Sequence, residues 1–116
     1  MDHEMNLFLE PFERIKSGKK VIEVRLYDEK RRKIKMGDRV IFRRLPDDIQ
    51  EKIVVEVIGL SLFRSFKELY AIFDKSKFGH PLDYTLEDQM NGIRKIYSEE
   101  KELEWGVVGI HLRLLV

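Results

Sequence analysis

Apolar and polar residues alternate most regularly over residues 21–27, where Ile22, Val24 and Leu26 interleave with Glu23, Arg25 and Tyr27. A period of two sends successive side chains to opposite faces. The segment therefore predicts a strand with one apolar face and one face carrying charges of both signs. Looser alternation predicts further strands over residues 3–9, 39–42, 52–63 and 105–116. Within 52–63, Gly59 disturbs the register, as glycine does at a bulge or a sharp bend in a barrel.

Three stretches follow a helical period instead. Glu10 and Pro11 open the first, Phe8, Phe12 and Ile15 form its apolar stripe, and Ser17-Gly18 stops it. Ser65, with Glu68 three residues on, predicts an N-cap for a helix over 66–73 that buries Phe66, Leu69, Tyr70 and Phe73. Thr85 and Asp88 repeat that arrangement for a helix running to about Tyr97, with Leu86, Met90, Ile93, Ile96 and Tyr97 facing inward. Residues 28–35 read as a charged connection, Gly37-Asp38 as a turn and Pro46-Asp47-Asp48 as a break. Strands interleaved with short helices predict an α+β fold with a curled, barrel-like sheet; a doubly wound parallel sheet needs regular long helices between its strands. With 116 residues and neither repeat nor low-complexity linker, a single domain over 1–116 is expected.

Composition narrows the function classes. The net charge is +1, so any preference for an anionic partner must come from local patches. The absence of cysteine removes disulfides, thiolate nucleophiles and cysteine-based zinc sites. Apolar runs are too short to cross a bilayer and residues 1–10 lack the character of a signal peptide, so a cytoplasmic protein without a membrane partner is expected. Dense Lys, Arg and Glu beside two Asn and two Gln suit a thermophilic source. There is no phosphate-binding glycine loop or serine elbow, and His3, His80 and His111 lack ligand-like spacing; neither a metal nor a cofactor is expected.

The charged face of the 21–27 strand admits two readings. Glu23 and Arg25 form an exposed pair worth about 0–1 kcal/mol, or they face a cleft. In a cleft, Lys20 joins them if the preceding turn twists the chain; Lys20 and Arg25 then hold an anionic or polar ligand and Glu23 orients them. A partly desolvated Lys20 is also a candidate base or nucleophile, although the adjacent Glu23 favours its charged, unreactive form. The run Lys30, Arg31, Arg32, Lys33 and Lys35 is either a solvated loop partly neutralised by Asp28 and Glu29 or a patch that contacts phosphates. Arg43 and Arg44 join that patch if the two neighbouring strands pair. Trp105, Tyr97 and Tyr84 read mostly as core, with one or two aromatic rings available at a cleft rim to stack a base.

The pattern Gly18-x-Lys20-x-x-Glu23-x-Arg25, followed by Asp28 and Gly37-Asp38, resembles the signature of the ASCH domain family of the PUA-like superfamily. The resemblance implies a PUA-like curled, mixed β-barrel with short flanking helices and a cleft built on Gly18, Lys20, Glu23 and Arg25. It also implies RNA or a nucleotide as partner, with the 30–35 run at the phosphates. One branch of the family consists of small amidohydrolases that deacetylate acetylcytidine with a lysine, a threonine and a downstream glutamate. Lys20 matches that lysine, but Glu23 stands where the threonine would be, and Asp83 is merely the nearest acid to the expected glutamate. The resemblance thus implies binding first, with catalysis by Lys20 and Glu23 or Asp83 as the alternative.

Overall fold

A computed structural model describes residues 1–46 and 51–115. The strands are β1 (Asp2–Leu7), β2 (Ile22–Leu26), β3 (Arg39–Arg44), β4 (Lys52–Phe63) and β5 (Val107–Leu114), and the helices are α1 (Leu9–Lys16), α2 (Phe66–Ile72), α3 (Leu86–Arg94) and α4 (Glu99–Trp105). They form one mixed five-stranded sheet in the order β1-β3-β4-β5-β2, with β1 parallel to β3 and the remaining pairs antiparallel. The sheet curls into a half-barrel. Its bend coincides with a register shift between Val57 and Gly59 on β4, where Gly59 was expected to disturb pairing.

The two faces of the sheet are buried by different elements. On one face Phe12 and Ile15 of α1 pack with Val40, Phe42, Val55, Val57, Val108 and Ile110. On the other, Ile22, Val24 and Leu26 of β2 pack with Phe66 and Leu69 of α2 and Ile93 of α3. The alternation along β2 therefore divides as its pattern requires, with the apolar set against the helices and Glu23 and Arg25 opposite.

Caps explain where the helices begin. Ser65 Oγ accepts the Glu68 N–H, and Thr85 and Asp88 form a reciprocal capping box. Helix α4 was not expected: Ser98 caps it, so β5 starts at Val107 rather than at residue 105. Ile96 and Phe8, expected on buried faces, are exposed, and Phe73 is half-buried. β2 and β3 do not pair, so Arg43 and Arg44 do not extend the 30–35 run; Arg43 binds Glu4 and Arg44 binds Glu51. The break expected at Asp47 and Asp48 lies outside the described residues. Among the described residues no helix is long and apolar enough to cross a membrane.

Candidate functional site

Backbone pairing fixes Lys20. Gly18, at φ +81°, ends α1 in the left-handed conformation that a glycine adopts without strain. The Lys20 N–H then donates to the Arg14 carbonyl (2.9 Å) and the Val21 N–H to the Lys77 carbonyl (2.9 Å). Regular pairing starts only at Ile22, and the irregular residue before it lets Lys20 reach the charged face although its number has the parity of the apolar set. Gly18 itself does not line the cleft described next.

Glu23 is 3% exposed. Lys20 Nζ lies 2.7 Å from its Oε1, and Arg25 Nε donates to its Oε2 at 2.8 Å. Burial by itself would raise the carboxyl, but the charges and hydrogen bonds of Lys20 and Arg25 prevail and hold it at about 2. The reading of Glu23 and Arg25 as an exposed pair is therefore overturned. Arg25 Nη2 also donates to the Asn6 carbonyl on β1 (3.0 Å), spanning the gap between the two edge strands of the half-barrel.

A cavity of about 650 Å³ opens beside this triad, within the range of small-molecule sites. The β1–α1 segment, with Leu7, Phe8 and Arg14, forms one wall. Tyr70 of α2, Phe78, His80 and Tyr84 of the following loop, and Gln89, Ile93 and Tyr97 form the other. Lysine 75 organises the loop by donating from Nζ to the carbonyls of Leu82 (3.0 Å) and Tyr84 (2.5 Å). Gly79, at φ +73°, lets Arg14 cross close by, since a Cβ there would meet Arg14 Cδ at 3.0 Å. The His80 ring lies 4.8 Å from that of Tyr84 and 5.8 Å from that of Phe78. Burial, reinforced by Arg14 and Lys20, pushes its imidazole down to about 4, so it is neutral at pH 7. Three cations (Arg14, Lys20, Arg25) against two carboxylates (Glu10, Glu23) leave the lining with one net positive charge.

The 30–35 run is not a uniform patch. Arg31 pairs with Asp28 (3.0 Å), while Arg32 donates to the carbonyls of Tyr27 (2.7 Å) and Trp105 (3.1 Å) with its guanidinium over the Tyr27 ring. Both hold the connection to the body of the fold. Lys30 and Lys33 instead join Lys101 around a shallow hollow beside Leu26 and Trp105, which Asp28 and Glu29 also line. Burial and the neighbouring Arg31 and Arg25 lower the Lys30 ammonium, though Lys30 does not itself line the cleft. Lys35 is exposed, and Asp83 is exposed and outside the cavity lining.

No place in a cleft was read from the sequence for Arg14, Tyr70, His80 or Gln89. Gln89 left a trace, being polar on the α3 face that carries Leu86, Met90 and Ile93. His80 left none beyond its place between Gly79 and Pro81. His3 and His111 are elsewhere, bonded to Asp38 (2.8 Å) and Ser61 (2.7 Å).

Fold and site together define a small α+β half-barrel with a cationic, aromatic-walled cleft at its open edge. The chain belongs to the ASCH domain family, whose model matches residues 5–115. The crystal structure of hypothetical protein PH0355 is similar at 39% identity and a TM-score of 0.86, covering 99% of this chain and 100% of that one. The solution structure of protein PF0455 from Pyrococcus furiosus is 36% identical with a TM-score of 0.75, covering 99% and 98%. An ASCH crystal structure from Zymomonas mobilis, at 15% identity and a TM-score of 0.65, covers 97% of this chain and 66% of that one and shares the fold. No functionally curated protein matches.

Proposed function

We propose that the cleft binds a nucleotide unit of RNA, with Lys20, Arg25 and Arg14 facing its anionic part and the aromatic wall its base. The observation that carries this reading is the buried Glu23, which holds Lys20 and Arg25 side by side at the floor of a ligand-sized cavity. Its carboxylate neutralises one cation and fixes both, so the surplus charge is pre-positioned and little side-chain entropy remains to be lost on binding. Lys30 and Lys33, beside Lys101 in a hollow that Asp28 and Glu29 also line, are the cations of the run that would meet adjacent phosphates. Arg31 and Arg32, committed to Asp28 and to backbone carbonyls, are not available in the same way.

The hydrolytic alternative finds less support. Asp83 is exposed and outside the cavity lining, and the Glu23 carboxyl, held at about 2, is a poor proton relay near neutral pH.

The test is titration of a fluorescent single-stranded RNA across salt concentrations. Lys20→Ala is expected to weaken binding by roughly tenfold, the scale of one charge-assisted contact. The Lys30→Ala, Lys33→Ala double variant should lower the log–log salt slope by about 1.4, at roughly 0.7 per single-strand phosphate contact. Absence of binding at low salt, or turnover of acetylcytidine that Lys20→Ala abolishes, would overturn the reading.

A further inference from the structure

Nucleotide binding at the triad leaves one buried polar pair unexplained. Gln89 is 5% exposed and shares the aromatic wall of the cleft with His80. Its Nε2 lies 3.1 Å from His80 Nδ1. An amide nitrogen can only donate, so Nδ1 accepts and the proton of the neutral imidazole sits on Nε2. Among the described residues neither His80 Nε2 nor Gln89 Oε1 bonds to protein, and neither belongs to the sealed, unpartnered atoms, which are Arg31 Nε and Arg44 Nε. The pair therefore offers an N–H donor beside a carbonyl acceptor with access to the cavity.

With one of its four hydrogen-bonding positions used among the described residues, the Gln89 amide has three left to meet a ligand in the cleft. Each RNA base carries an acceptor next to a donor on its pairing edge, the complement of this arrangement, and enzymes that take up an extruded base read that edge in the same way. The rings of His80 and Tyr84, both partly exposed, supply flat surface for a base, with Phe78 and Tyr70 buried beside them.

We propose that His80 and Gln89 read the pairing edge of an unpaired nucleobase, so that the cleft selects single-stranded or free nucleotides over phosphorylated sugars and duplexes. This rests on the nucleotide-binding reading above. The two can be separated by calorimetric titration with the four ribonucleoside 5′-monophosphates and ribose 5-phosphate. At least one nucleotide should bind wild type roughly tenfold or more tightly than ribose 5-phosphate, the cost of stranding such a pair. Gln89→Leu and His80→Phe should erase that advantage, whereas Lys20→Ala should weaken all five ligands together. His80→Phe keeps a ring against Tyr84, so it decides the matter if Gln89→Leu fails to fold. Equal binding of all five to wild type, or a nucleotide advantage that survives both substitutions, overturns base reading and leaves cleft binding standing. Binding of none of the five overturns both.

Discussion

Glu23 reverses the usual relation between burial and charge. A carboxyl with 3% exposure should be neutral, yet Lys20 and Arg25 keep this one ionised. Removing the carboxylate leaves two cations facing each other, and breaking a buried pair costs about 3–5 kcal/mol. Glu23→Gln should therefore lower the unfolding free energy at pH 7 by about 3 kcal/mol. Because the carboxyl falls from its ordinary 4.5 to about 2, its contribution is complete above 4.5 and lost as pH drops toward 2. His80 has its own window: an imidazole lowered from 6.5 to about 4 contributes fully above 6.5 and loses that contribution as pH falls to 4. Urea unfolding against pH should show Glu23→Gln flattening the lower window and His80→Phe the upper one. Identical profiles for wild type and both variants would refute the assignment.

At the scale of elements, the helical insertion between β4 and β5 hangs on Glu102. This buried α4 carboxylate accepts the Phe66 N–H at the start of α2 (2.7 Å) and Arg94 Nη2 near the end of α3 (2.9 Å). Glu102→Ala would strand a buried N–H and a guanidinium, so a loss of about 3 kcal/mol is expected. Ser98→Ala, which removes only the α4 cap, should cost about 1 kcal/mol. Thermal melts of both variants check the ordering. The same residue explains why α4 was illegible. Its apolar Leu103 is 88% exposed and the side chain it buries is a glutamate, so periodicity carries no signal there. Helices α2 and α3 were legible because caps and apolar stripes agreed, and α1 because Pro11, the Phe12–Ile15 stripe and Gly18 bracket it. Of the cleft, the Lys20–Glu23–Arg25 floor was readable from local spacing. The opposite wall was not: Tyr70 read only as core, and no local pattern shows that His80 of the loop and Gln89 of α3 meet there.

For the whole molecule, the open half-barrel is the defining trait. β1 and β2 are its edges, and Arg25 joins them through the Asn6 carbonyl rather than through a strand ladder. Arg25→Ala should raise amide exchange in β1 and β2 while the β4–β5 pair keeps its protection; uniform loss would refute the clasp. The order of the strands also sets when the cleft can exist. β2 has β5 as its neighbour, and β5 follows every helix among the described residues. Until β5 has been synthesised, β2 lacks the strand it pairs with. A chain that stops short of β5 therefore carries the Lys20–Glu23–Arg25 motif without the sheet that assembles it into a site.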